Sequence, residues 1–161
     1  MAYVIFDLDG TVIDSSHRHA TLADGSLDLA HWRENATPEK IFQDGLLPLA
    51  RSMRSLYEAG HTVIVCTARA IIQADLDFMA NNNLQYHAFL SRAWGDVSPD
   101  ADLKERVLRD YFAKRDLRLG VDVQPIMFDD NLKVVYRMIK IGVHALDATK
   151  INRRMAKMRA A

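Results

Sequence analysis

Five short apolar runs, separated by longer amphipathic stretches, constrain the fold of this chain more tightly than any other feature. They are Tyr3-Val4-Ile5-Phe6, Thr62-Val63-Ile64-Val65-Cys66, Ala88-Phe89-Leu90, Ile126-Met127-Phe128 and Val143-His144-Ala145-Leu146. Most of their residues are β-branched or aromatic, and the runs are short. That is the pattern of strands buried on both faces of a parallel sheet. Between the runs, apolar residues recur at helical spacing. Leu46 to Ala59 carries Leu49, Met53, Leu56 and Tyr57, with Gly60 as a stop. Ile71 to Asn82 carries Ile72, Leu76 and Met79, and Ala101 to Phe112 carries Leu103, Val107, Leu108 and Tyr111. Leu132 to Ile141 lies between a capping Asn131 and a terminating Gly142. This alternation predicts an α/β fold: an open, mainly parallel, Rossmann-like five-stranded sheet with helices on both faces.

Two stretches break the alternation. Residues 12–45 are polar and mixed around Trp32, and read as a small insertion of loop with one or two short helices. The tail from Lys150 to Ala161 holds Lys150, Arg153, Arg154, Lys157 and Arg159 and no acid, with Ile151, Met155 and Met158 at helical spacing. It has two readings: an amphipathic C-terminal helix docked on the sheet, or a contact for a phosphate backbone. A chain of 161 residues suits a single domain spanning 1–161. Its 21 basic residues balance 21 acidic ones, which argues against coating nucleic acid by bulk attraction. A lone cysteine, Cys66, excludes an intrachain disulfide and suits a reducing compartment. No apolar run approaches the roughly 20 residues of a membrane helix, and the N-terminal segment does not read as a signal peptide. A cytoplasmic protein with no membrane contact is the expectation.

Parallel sheets place ligands at the C-terminal ends of their strands. Asp7 and Asp9 follow the first strand, Thr67 and Arg69 the second, and Asp129 and Asp130 the fourth. Four carboxylates at one sheet edge repel one another unless a cation joins them. Hard oxygen donors of this kind select Mg2+. Lys104, near the start of a helix, adds a compensating positive charge.

In this order, Asp7-Leu8-Asp9-Gly10-Thr11, Thr67, Lys104 and Asp129-Asp130 resemble the four-motif signature of the haloacid dehalogenase (HAD) superfamily. The resemblance implies that Asp7 attacks phosphorus to form an aspartyl-phosphate, and that Asp9 is the general acid and base. Superfamily members that cleave carbon–halogen bonds lack that second acid, so Asp9 points to phosphate chemistry. Gly10 permits the tight turn after the strand, and Thr11, counted with the substrate-binding residues, steadies it. Thr67 is expected to bind a phosphoryl oxygen and Lys104 to neutralise charge. The metal is expected on Asp7, the backbone carbonyl of Asp9, Asp129 and Asp130. The bland alternative for Asp129-Asp130 is capping of the helix after it, which Asn131 can do alone. The segments from Val12 to Asp44 and from Arg69 to Leu103 are too short for a full cap domain. An open site of that sort suits a bulky substrate, unless a neighbouring copy in a homo-oligomer closes it.

A narrower likeness lies in Arg92-Ala93-Trp94-Gly95-Asp96 followed by Asp100 and Lys104. Together with Arg18 and Arg69, this stretch is similar to the phosphatase domain of bacteriophage polynucleotide kinase/phosphatase enzymes, which removes 3′-phosphates. The likeness makes Arg18, Arg69 and Arg92 substrate-binding residues, against a plain ion-pair role for each. Ser98-Pro99 replaces that family's basic pair, and no Gly-x-x-x-x-Gly-Lys loop is present, so there is no kinase half. His17 and His19 flank Arg18 as possible substrate contacts. Trp32 and Trp94 are read either as base-stacking or as packing residues, Cys66 as buried and inert, and Asp28 and His31 as loop polar residues. The function expected is a magnesium-dependent phosphomonoesterase acting on nucleic acid 3′ ends or nucleotides, in bacterial or virus-infected host cytoplasm. The alternatives are a 5′-nucleotidase acting on (deoxy)nucleoside monophosphates, a non-catalytic phosphate-binding protein, and a phosphotransferase.

Overall fold

A computed structural model describes residues 1–24 and 28–160; residues 25–27 of the insertion and Ala161 of the tail lie outside it. The chain enters as β1 (Tyr3–Phe6) and crosses the insertion through β2 (Ile13–Asp14), a 3-10 turn at Ser16–Arg18, α1 (Leu29–Glu34), α2 (Pro38–Ile41) and β3 (Gly45–Leu46). It then alternates: α3 (Leu49–Glu58), β4 (Thr62–Cys66), α4 (Gln73–Asn81), β5 (Ala88–Leu90), α5 (Asp100–Ala113), β6 (Ile126–Asp129), α6 (Leu132–Lys140), β7 (His144–Asp147) and α7 (Ala148–Ala160).

The strand order is β5-β4-β1-β6-β7, and every neighbouring pair is parallel. The expected five-stranded parallel sheet is what forms. β1 lies in the middle, where the chain leaves to one side for β4 and returns on the other for β6. That reversal opens a crevice at the carboxyl ends of β1, β4 and β6.

The twofold period of a strand divides the sheet's side chains between two cores. Val4, Phe6, Val63 and Val65 pack with Leu49 and Met53 of α3, Phe78 and Met79 of α4 and Ala148 of α7. Ile5, Ile64, Cys66 and Met127 pack with Leu108 and Phe112 of α5 and Val134, Val135 and Met138 of α6. The helices therefore cover both faces.

The insertion holds two short helices, as its composition suggested, and no cap domain among the described residues. Asp28 is more than a loop residue, because its carboxylate accepts from the backbone N–H groups of Ala30 and His31 and caps α1. Thr37 caps α2 in the same way. One helix boundary moves: α3 begins at Leu49, because Leu46 pairs with Ile13 in the two-stranded β2–β3 ribbon. The tail is a docked helix that starts directly after β7. Ile151 and Met155 lie against the core, while Arg153, Arg154 and Lys157 are exposed. No helix among the described residues is long and apolar enough to cross a membrane.

Candidate active site

The loop after β1 takes its shape from backbone bonds. The N–H groups of Thr11, Val12 and Ile13 all donate to the carbonyl of Leu8, and that of Gly10 to Ile13. Gly10 turns at φ +70°, and a Cβ there would collide with the Asp130 carboxyl, so only glycine fits. The loop leaves Asp7 and Asp9 at the crevice, with Asp7 5% exposed.

Lys104 enters one turn into α5, which packs on α6, and its ammonium is buried. Its Nζ donates to Asp7 Oδ1 and to Asp129 Oδ2, both at 2.7 Å. Thr11 Oγ1 donates to the other oxygen of Asp7 at 3.3 Å. Asp129 Oδ1 accepts from Asn131 N–H at 3.0 Å, and Asn131 itself caps α6 through Lys133 N–H. Helix capping therefore does not need Asp129 or Asp130. Burial pushes Asp7 up to about 7, with Asp129 adding to the rise and Lys104 opposing it. Asp129 is raised by burial as well, again against Lys104. Asp130 keeps part of its surface in solvent, yet desolvation of its carboxyl and the charge of Asp7 push it up to about 7. Burial works against the charged form of Lys104, but Asp7 and Asp129 outweigh it and hold the ammonium charged.

Carboxylate oxygens of Asp7, Asp129 and Asp130 lie within 4.8 Å of one another, with one lysine against three acids. Surplus negative charge on hard oxygen donors fits a divalent ion such as Mg2+. Thr67, buried at the end of β4, points its Oγ1 to Arg69 N–H at 3.2 Å. Cys66 beside it is wholly buried, and burial pushes its thiol up to about 12, so it stays inert as expected.

Asp9 is gripped on both oxygens. Arg69 donates through Nε to Oδ2 at 3.0 Å and through Nη2 to Oδ1 at 2.5 Å, and Ser15 Oγ donates to Oδ1 at 2.7 Å. Burial alone would raise Asp9; the Arg69 charge outweighs it and holds the carboxyl below its usual range. Arg69 also pairs through Nη1 with Asp75, which is 3% exposed. Its guanidinium lies 5.4 Å from the centre of the Trp32 ring.

Arg18 is fully buried. It forks onto Asp44 through Nε (2.9 Å) and Nη2 (2.5 Å), and its Cζ sits 4.5 Å from the Trp32 centroid. His17 Nε2 lies 2.8 Å from the same Asp44 carboxylate. His19 meets Trp32 edge to face, with its Nε2 3.2 Å from Ser15 Oγ. Trp32 thus packs against arginines and a histidine. Among the described residues, Arg18 Nη1 is a buried donor without a partner.

Arg92 points at carbonyls. It donates to the Ala68 carbonyl (2.6 Å), to those of Asp96 (3.0 Å) and Ser98 (2.8 Å), and to Asp100 Oδ1 (2.9 Å). It bolts the loop after β4 to the loop before α5. Trp94 stands on that second loop, 77% exposed.

Asp7, Asp9, Thr11, Thr67, Arg69, Lys104, Asp129 and Asp130 thus share one edge of the sheet. Arg18 lies against Trp32, the ring that Arg69 also meets, and Arg92 supports the loops with its guanidinium taken up by the Ala68, Asp96 and Ser98 carbonyls and Asp100. The sequence reading missed Asp44, Asp75, Ser15 and Asn152. Asn152 Nδ2 donates to the Thr11 carbonyl and its Oδ1 accepts from Leu49 N–H, both at 2.9 Å. Only an acid in the first turn of α4 hinted at Asp75, and nothing pointed to the other three.

The family model described as Bacteriophage T5 5'-deoxynucleotidase matches residues 1–94. The 5'-deoxynucleotidase of Escherichia phage T5 is 30% identical over 167 residues, covering 92% of this chain and 68% of that protein. Among solved structures, a haloacid dehalogenase-like hydrolase from Streptococcus pneumoniae superposes with a TM-score of 0.64 at 14% identity, covering 90% of this chain and 83% of the other. A chain of the Pnkp1/Rnl/Hen1 RNA repair complex superposes with a TM-score of 0.61 at 21% identity, covering 90% of this chain but only 41% of its own length. Both structures share the fold. The family model spans the loop after β1, Thr67 and Arg69, and the match with the phage enzyme reaches along most of both sequences, so this chain, HAD-like in fold and a phosphatase by its relationship, belongs to the bacteriophage T5 5'-deoxynucleotidase family.

Proposed function

We propose that residues 1–161 form one magnesium-dependent phosphomonoesterase domain that removes the 5′-phosphate from deoxynucleoside monophosphates, in the cytoplasm of a bacterium or phage-infected host. The observation that carries this reading is the buried Lys104 bridge between Asp7 and Asp129, with Asp9 alongside. A binding module has no use for a nucleophile and an acid–base residue held at one point. Of the substrates left open by the sequence, the relative's name favours the 5′-mononucleotide over a 3′-phosphorylated strand. The carbonyl-bound Arg92 agrees with that choice, because it is not free to track a backbone.

In the reaction, Asp7 forms a bond to phosphorus while the bond to the 5′-oxygen breaks, and that oxygen leaves with the proton of Asp9. Water then attacks the aspartyl-phosphate and gives its proton to Asp9; the bond to Asp7 breaks and inorganic phosphate departs. Thr67 and Lys104 hydrogen-bond and neutralise the phosphoryl oxygens. Asp7, the Asp9 carbonyl, Asp129 and Asp130 would hold Mg2+, which neutralises phosphate charge when bound. Arg69 lies beside Asp9 on the substrate side, Arg18, buried against Asp44, holds Trp32 of the insertion, and Trp94 offers the base an open stacking face.

Phosphate release, with and without Mg2+, tests this on four substrates: a 5′- and a 3′-deoxynucleoside monophosphate, and the 5′- and 3′-phosphorylated forms of one oligonucleotide. The 5′-monophosphate is expected to be preferred, and Asp7→Asn to abolish turnover while retaining substrate binding. Preference for the 3′-phosphorylated strand would overturn the substrate. No release from any of the four would overturn the enzyme reading itself.

A further inference from the structure

We propose, resting on the reading above, that Asp75 is a positioning residue: it anchors Arg69 so that the guanidinium keeps Asp9 aimed at the leaving oxygen. Nothing in the sequence motifs includes Asp75. Its place follows from a chain of contacts running from the start of α4 to the nucleophile loop.

Both oxygens of Asp75 are committed. Oδ2 accepts from Ile72 N–H at 2.9 Å and ties the carboxylate to the first turn of α4, while Oδ1 takes Arg69 Nη1. Arg69 then presents its Nε–Nη2 edge to both oxygens of Asp9. The Trp32 ring lies against the same guanidinium. The arginine is therefore held from three directions, and the aim of its free edge depends on the anchor opposite.

Burial makes the anchor matter. Arg69, Asp9 and Asp75 are all largely buried, with side chains 6%, 23% and 4% exposed. Of the three guanidinium nitrogens, Nε and Nη2 are spent on Asp9, so Nη1 on Asp75 is the contact that fixes the plane of the group from the opposite side. Without it, a buried arginine would be held in place only by the residue it is meant to aim and by the ring of Trp32.

The test compares kcat/KM for Asp75→Asn and the wild type on three esters: a 5′-deoxynucleoside monophosphate, glycerol 2-phosphate and p-nitrophenyl phosphate. This ratio covers the steps through departure of the leaving group, so hydrolysis of the aspartyl-phosphate drops out. An alcohol needs a proton in order to leave; p-nitrophenolate leaves as the anion. Misaimed Asp9 should therefore cost both alkyl esters about tenfold or more beyond any loss on the aryl ester. Asparagine retains an acceptor for Ile72 N–H, and thermal melting checks that the variant is folded. If it is not, Asp75→Glu carries the test, since it retains the charge and should show the same bias to a smaller extent. Equal losses on all three esters would overturn the proposal, because a merely structural role lowers all alike. A loss on the nucleotide alone would overturn it too, by pointing to nucleoside binding. A wild-type enzyme inactive on every ester would sink the phosphatase reading instead.

Discussion

Asn152 on α7 is the residue whose removal tests most directly how the loop of Asp7 and Asp9 is held. It is 7% exposed and makes two hydrogen bonds, accepting from Leu49 N–H at the start of α3 and donating to the carbonyl of Thr11. Alanine would leave two buried backbone groups without partners. Each costs about 1–3 kcal/mol, and partial entry of water brings the pair to about 2–4 kcal/mol. For a chain of this size each kcal/mol lowers the melting temperature by about 2–4 °C, so Asn152→Ala should melt about 4–16 °C lower. Thr11 closes the loop that carries Asp7 and Asp9, so kcat should fall with it. Lys150→Ala is the control on the same helix: its side chain is 80% exposed, with the ammonium 3.4 Å from Asp147, and a surface pair of that kind is worth at most about 1 kcal/mol. Circular dichroism melts and phosphate release on both variants are the assays. A shift under about 2 °C for Asn152→Ala, or an equal shift in the control, would refute the idea that α7 braces the loop.

Two further outcomes follow from the site. Asp7 and Asp130 sit near 7 in the folded protein against an ordinary 3.8, so between those values the native state holds protons that the unfolded chain has released. Metal-free stability from these groups is therefore full below about pH 4 and declines as the pH rises toward about 7. Mg2+ replaces the protons, so it should raise the melting temperature more at about pH 7.5 than at about pH 5; equal gains would contradict the assignment of these carboxylates to the metal. Replacing the exposed Trp94 by alanine should raise KM about fivefold for deoxynucleoside monophosphates, and less for p-nitrophenyl phosphate. The same rise on both esters would remove Trp94 from base recognition.

The residues at the heart of the site could be read from the chain because a parallel sheet gathers strand ends. Once Tyr3–Phe6, Thr62–Cys66 and Ile126–Asp129 are strands, Asp7, Thr67 and Asp129 must meet. Their supports depend on packing that no local pattern records. Asp44 meets Arg18 from 26 residues away, and Asn152 meets Thr11 from 141. The β2 and β3 strands are two residues each, shorter than any alternation can reveal, which is why Leu46 looked helical. Arg92 shows a different limit. A guanidinium recognises any array of oxygen acceptors, and a loop of carbonyls offers the same geometry as a phosphate. Motif spacing located the residue without saying which array it would face.

The bond between Asn152 and Thr11 also sets an order of events during synthesis. The loop after β1 leaves the ribosome before its brace, which lies 141 residues downstream, and β1 cannot take its central place until β4 and β6 exist to flank it. Contacts of such long range form late in folding. A growing chain that already contains Asp7, Asp9 and Thr67 therefore lacks the brace on its β1 loop until α7 docks. The loop that carries the two acids is thus made long before it is fixed in place, and its geometry reports on the docking of a helix remote from it in sequence.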